Sequence, residues 1–348
     1  MLATLLLTVP AAAQLQITPP ATTPSTPAEK QKPKPPAPAK KKEAAPKPSP
    51  SPKPSASPKP ATVIPAPPAD DPNVDLVFGA YQRGQYKTAF ELATARAQAG
   101  DPKAMTMLGE LYSNAMGIRR DYAKAAEWYK RAADAGDREA MFALAMLRIS
   151  GRGGPVDKGE AVRLMASAAK LGEPKAAYNL ALLYLDGQTL PQDVRRSAEL
   201  LRQAADAGLP EAQYALATFY KEGTGVPKDP ERAVRLLQAA AIADNVDAEV
   251  EYAIAMFNGT GTPKNQPAAV ALLRKASRQG SAIAQNRLAW VLINGVGTPV
   301  DKIEGFKWHL VAKTSGKGDP ELDKQLSDLP ADDRAKAEAA ARKWLGSK

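Results

Sequence analysis

Few residues of this chain could do chemistry. One histidine, His309, and no cysteine occur in 348 residues. A lone imidazole cannot build a multi-histidine metal site. Without Cys there is no thiolate zinc ligand, no cysteine nucleophile, no disulfide framework and no lipid-modified N-terminal cysteine. The G-x-G pairs Gly151/Gly153, Gly223/Gly225, Gly259/Gly261 and Gly295/Gly297 suggest phosphate cradling. Each follows a helical pattern rather than a strand, and none continues as a Walker or dinucleotide fingerprint, so they read as turns. No G-x-S-x-G elbow is present. A serine nucleophile without a His base would need a lysine partner, and nothing singles one out. Asp332 and Asp333 read as acidic charge at a helix start, favoured by the dipole there. The sequence thus predicts no catalytic residue, no metal ligand and no cofactor.

The elements that hold these residues repeat. Glycine recurs every 36 residues, at Gly100, Gly136, Gly172, Gly208, Gly280 and Gly316, with Asp244 in the one gap. Two alanine series keep the same period, Ala104 to Ala284 and Ala132 to Ala312. Loop prolines follow at Pro155, Pro191, Pro227, Pro263 and Pro299. Such a fixed period marks a stacked array. Within one copy, Ala104, Met107, Leu108, Leu111 and Tyr112 have helical spacing. Gly and Pro then break the pattern. Asp121, Asp157, Asp193, Asp229, Asn265 and Asp301 stand where the next helix needs an N-cap. That helix carries Ala125, Trp128, Tyr129 and Ala132 and ends at the first glycine series, as a C′ glycine would. Each copy is therefore two antiparallel helices. His309 falls in the slot held by Tyr129, Met165, Leu201, Leu237 and Leu273, which makes it a packed or partly exposed helical residue.

The runs AAYNLALLYLDG (176–187), AQYALATFYKEGTGVPKD (212–229) and AAEWYKRAADAG (125–136) resemble the Sel1-like repeat family, which is related to tetratricopeptide arrays. The resemblance covers six copies over 101–319. It implies an all-α, right-handed α/α superhelical solenoid of about eight antiparallel helix pairs, preceded by a disordered tail. Thr189 replaces a usual loop glycine, and Tyr252 a usual leucine. Residues 73–100 resemble a tetratricopeptide-like helix pair, and 320–348 read as capping helices with the polar outer face a terminal repeat needs. Cysteine-rich members of the family, with which penicillin-hydrolysing activity is associated, staple each repeat by a disulfide; a chain without Cys carries that over weakly.

The resemblance also implies a use: first helices lining a concave groove that takes a protein or peptide partner. By analogy with tetratricopeptide arrays the inward positions are Phe142, Tyr178, Tyr214 and Val250, then Met146, Leu182, Thr218, Ile254 and Trp290. Lys103, Glu110, Lys175, Glu211 and Asp247 would add polar contacts. An aromatic and aliphatic stripe suits an extended peptide or a partner helix; the same aromatics could instead pack between repeats.

Charge divides the chain. Residues 1–69 hold nine Lys and two Glu, so +7 of the net +10 lies there. Nineteen of 32 prolines fall between Pro19 and Pro72. Residues 18–72 therefore read as a disordered Lys/Pro/Ala-rich spacer, too poor in apolar residues to offset its ordering entropy. It lacks the aromatics that stack bases, so no nucleic acid is expected; anionic envelope polymers are the alternative ligand. Residues 1–17 read as a signal peptide with cleavage near Ala13, though without its basic start. The apolar run is short and broken by Pro10, so no transmembrane helix is expected. The expectation is a periplasmic or otherwise exported, non-enzymatic scaffold, or a cytoplasmic one if the apolar run is not a signal. The other readings are a wall- or lipopolysaccharide-associated structural protein and a β-lactam or cell-wall hydrolase.

Overall fold

A computed structural model describes residues 75–347. The signal-like start, with its cleavage near Ala13, and the Lys/Pro spacer lie outside the described residues.

The described residues form sixteen helices and no strand. The first pair is α1 (Leu76–Gln82) and α2 (Tyr86–Gln98). Six pairs of 13-residue helices follow. They are α3 (Pro102–Asn114) with α4 (Tyr122–Asp134), α5 (Arg138–Ser150) with α6 (Lys158–Lys170), and α7 (Pro174–Asp186) with α8 (Val194–Asp206). Next come α9 (Pro210–Glu222) with α10 (Pro230–Ile242), α11 (Val246–Asn258) with α12 (Gln266–Arg278), and α13 (Ala282–Asn294) with α14 (Lys302–Thr314). The last pair is α15 (Pro320–Ser327) and α16 (Ala331–Gly346). Helices pack chiefly on their sequence neighbours, and α16 closes the array against α14. This is the quasi-one-dimensional packing of a solenoid.

The helix starts are fixed by side chains. Asp121, Asp157, Asp193, Asp229, Asn265 and Asp301 each accept a hydrogen bond from the backbone N–H three residues on. Their own N–H groups donate to carbonyls near the end of the preceding helix, for example Asp229 to Tyr220 at 2.9 Å. One residue thus starts the second helix and ties it to the first. Most first helices are capped likewise, by Asp101, Asp137, Glu173, Asn245 and Ser281; Leu209 makes no side-chain cap.

The loops explain the glycine period. A Cβ at Gly153 would run into the Tyr122 carbonyl, because the loop of one pair lies on the second helix of the pair before. Thr189 breaks the series and keeps a negative φ. At the other glycine series, Asp244 adopts φ 60°. Asp tolerates this region better than most residues, and its carboxylate there meets Lys275 Nζ at 2.7 Å. Lys275 also pairs with the buried Glu249 at 2.6 Å.

The core lies between first and second helices. Ala132, Ala168, Ala204, Ala240, Ala276 and Ala312 are all fully buried, so a methyl is the largest group their helix–helix contacts accept. Leu108, Leu144, Leu180, Leu216 and Leu288 fill one repeating slot; Tyr252, in the fifth copy, stays half-buried there. His309 is fully buried in α14. Its Nε2 lies 2.9 Å from Asp323 Oδ1, joining α14 to α15.

Candidate partner-binding groove

Because the pairs stack with a fixed period, residues 36 apart on successive first helices form rows. The row of Phe142, Tyr178 and Tyr214 is half-buried, each residue packed against the core. The row of Met146, Leu182, Thr218, Ile254 and Trp290 is half-buried in the same way. Lys175 and Glu211 are exposed, with Lys103 and Asp247 beside them in the array and Glu110 half-buried. Val250 departs from its row. It is 4 % exposed and packs inside the core with Ala253 and Met256, so it presents no surface to a partner. Its short β-branched side chain does not extend past the helix surface as a tyrosine ring does.

The tyrosines stay neutral donors. Burial and the Glu211 carboxylate raise the pKa of Tyr178. Burial, then Glu251, Asp247 and Glu222, push that of Tyr214 up to about 12. Thr218 Oγ1 donates to the Tyr214 carbonyl at 3.2 Å, leaving its methyl as the surface it offers.

This face holds a cleft of about 470 Å³ over α3, α5 and α7. Phe142 and Met146 line it, with Glu110 and Lys175. Tyr129, from the second helix α4, lines it too while staying 6 % exposed in the core cluster, as its place on the apolar stripe of α4 predicts. Tyr129 reaches the cleft through Gly109. A Cβ at 109 would sit 2.5 Å from Tyr129 Cε1. The equivalent residues are Ala145, Ala181, Ala217, Ala253 and Ala289, so the single glycine in an alanine row was the signal for it. The Tyr129 hydroxyl lies 3.3 Å from Ser113 Oγ, and burial above all pushes its pKa up to about 12. Glu110 accepts a hydrogen bond from the Tyr81 hydroxyl at 2.9 Å. A smaller recess of about 160 Å³ continues past Lys103 and Met107 to Phe78, whose ring is half exposed.

The remaining candidate chemistry is structural. The G-x-G residues sit in turns with positive φ, such as Gly151 at 65° and Gly153 at 72°. Asp332 and Asp333 lie in the first turn of α16. Asp323 accepts from Lys313 Nζ at 2.8 Å; the hydrogen bonds from Lys313 and His309 hold its carboxyl below the usual range. Among the described residues no group of three or more His, Asp or Glu is arranged to hold a metal ion. No described helix is long and apolar enough to cross a membrane.

The profile of the Sel1 repeat family matches six consecutive segments, 102–137, 138–173, 174–209, 210–245, 246–281 and 282–316. No curated protein matches the chain significantly. Among solved structures, a Sel1 repeat protein from Oxalobacter formigenes is similar at 24% identity and a TM-score of 0.58. The match covers 68% of this chain and 94% of that one. The protein c5321, a protective antigen of uropathogenic Escherichia coli strains displaying an SLR fold, is similar at 24% identity and a TM-score of 0.52. That match covers 77% of this chain and 67% of the antigen. These likenesses concern the fold.

Proposed function

Because the chain belongs to the Sel1 repeat family, whose solenoid is a fold typically used for protein–protein interaction, we propose that it is a non-catalytic scaffold of the cell envelope. It captures an extended segment of a partner protein along the first helices. The observation that carries this is the pair of half-buried rows, Phe142–Tyr178–Tyr214 and Met146–Leu182–Thr218–Ile254–Trp290, leading into a 470 Å³ cleft. Such rows give spaced apolar anchors on a surface that is already ordered, so little entropy is lost on the scaffold side. Export is supported by the signal-like residues 1–17, and a spacer role by the Lys/Pro composition of 18–72.

The test is crosslinking in the native host followed by mass spectrometry, with the full chain and with Tyr178→Ala and Tyr214→Ala combined. Loss of the main crosslinked protein is expected; undiminished capture removes the groove assignment. The same experiment reports the mature N-terminus. The +7 of residues 1–69 favours a second reading, in which that segment contacts anionic wall polymers. Sedimentation with isolated sacculi, with and without residues 18–72, separates the two.

A further inference from the structure

The first copy departs from the others at the loop joining α3 to α4. Arg119 stands where the five later copies carry Pro155, Pro191, Pro227, Pro263 and Pro299. The fold asks the same of this loop in every copy, and five copies meet it with proline. The arginine is therefore not there for the turn. A recess of about 550 Å³ opens at this loop, lined by Arg119, Arg120, Lys124 and Tyr112.

Tyr122 lines the cleft, and Arg120 of the recess reaches its ring. Its ring centre is 5.8 Å from the Arg120 guanidinium carbon and 5.3 Å from that of Arg152, in the next loop. Two guanidinium groups thus lie near one ring. Among the described residues neither forms an ion pair, nor does Arg119 or the exposed Lys175. Two of the cleft carboxylates face cations, Glu139 with Lys103 at 3.4 Å and Glu173 with Arg138 at 3.8 Å, whereas Glu110 accepts from the neutral Tyr81 hydroxyl and keeps its charge. The four cations without an ion pair outnumber that single carboxylate, so the balance of charge left around the cleft is positive. Phe142 and Met146 give its lining an apolar patch, and the volume admits a large side chain.

We propose that this end of the groove takes an acidic protein segment carrying one bulky apolar residue. The apolar side chain sits over Phe142 and Met146, and flanking carboxylates meet Arg119, Arg120 and Arg152. Guanidinium forks match carboxylates in geometry as well as charge. A phosphate polymer would satisfy the arginines but supplies nothing for the apolar patch. This inference rests on the groove reading above and names the chemistry of its occupant.

The test uses the full chain and fluorescent synthetic peptides of equal length: Asp/Glu around a central Trp, the same with Gly for Trp, and Lys/Arg around Trp. Anisotropy should show binding of the acidic Trp peptide, weakening as salt rises. The basic peptide should not bind. Combining Arg119→Pro, Arg120→Gln and Arg152→Gln should cost about tenfold or more in affinity, the sum of three exposed pairings. Arg119→Pro installs the residue the other copies use, and the charge-retaining Arg120→Lys with Arg152→Lys should keep most of the binding. Phe142→Ala with Met146→Ala should abolish the preference for Trp over Gly. Undiminished binding by the folded triple variant overturns the inference while a retained Trp preference leaves the groove reading standing. Equal binding of the basic peptide, or binding of polyphosphate without the acidic peptide, overturns it too. Equal binding of the Trp and Gly peptides overturns the groove reading and this inference with it.

Discussion

Gly109→Ala tests whether one missing methyl group builds the cleft. The new Cβ would lie 2.5 Å from Tyr129 Cε1 and 2.6 Å from Cδ1. Carbon atoms pack at about 3.5 Å, so the ring must retreat by about 1 Å. It cannot retreat inward, where Ala125, Ala126 and Ala132 pack beside it in the same buried cluster. Overpacking of this kind costs about 1–3 kcal/mol. Gly109 lies inside a helix, where Ala is favoured over Gly by about 1 kcal/mol. The expected net is a loss of about 1 kcal/mol. Three other copies combine Ala with Leu in these two slots: Ala181 with Leu201, Ala217 with Leu237 and Ala253 with Leu273. In a Tyr129→Leu background the clash is gone, so Gly109→Ala should stabilise by about 1 kcal/mol through propensity alone. The sign of one substitution thus reverses, a coupling of about 2 kcal/mol in a double-mutant cycle. Repeat arrays need not unfold in one step. The readout is therefore local: hydrogen exchange of α3 and α4 amides in the four proteins. If Gly109→Ala stabilises α3 equally in both backgrounds, the ring does not depend on the glycine and the account of the cleft fails.

Three further outcomes are expected. Asp229→Ala removes the cap of α10 and should cost about 1 kcal/mol, read as faster exchange at the Ala233 end of that helix. Lys275→Ala leaves the Glu249 carboxylate, 1 % exposed, without its cation. Leaving a buried carboxylate without its cation destabilises the fold, the less so here because Lys275 is half open to water. Glu249→Gln should restore most of the loss in a denaturant melt, since Gln213 and Gln285 hold the same slot and donate to carbonyls of the preceding helix. The third outcome concerns pH. Asp323 is held below the usual carboxylate range by hydrogen bonds from Lys313 and then His309. A depressed carboxyl contributes stability above its unfolded pKa of about 4 and loses it as pH falls through the lower folded value. Exchange at α15 should accelerate over that acid window in the native protein, and Asp323→Asn should flatten the dependence. An unchanged pH profile in Asp323→Asn would remove the carboxylate from the account.

The features legible in the sequence are those set within a few residues of chain. Asp193 caps α8 because a short oxygen-bearing side chain at the end of a Gly/Pro loop can reach the N–H three residues on, whatever surrounds it. Ala204 is small because two helices cross there, and the period of 36 shows it six times. Depth across the array is different. Tyr214 and Val250 occupy one register position, yet the first reaches the surface and the second stays in the core. Helical spacing assigns a residue to a face but not its distance from the surface, which depends on side-chain length and on the opposing helix. Tyr129 is buried as its place on the apolar stripe of α4 predicts, but that its ring also lines the cleft was illegible for the same reason. Its slot holds Leu in three other copies, and only the loss of a methyl from a different helix lets the ring through.

The internal repeat nevertheless supplies its own control. Six copies of one fold face the same backbone demands, so a departure confined to one copy is either compensated locally or not required by the fold. Asp244 belongs to the first kind: it leaves the glycine series and is answered by Lys275 at 2.7 Å. Gly305 does too. It leaves the alanine row of the second helices, and the space it vacates is taken by Ile293, 2.6 Å from where a Cβ would stand. Arg119 belongs to the second kind, since among the described residues it has no ion-pair partner and five prolines show the turn does without it. Gly109 with Tyr129 combines both, a compensated pair whose by-product is an open cleft. That the compensated cleft and the uncompensated arginine fall in the same pair of helices is what distinguishes this end of the solenoid from the rest.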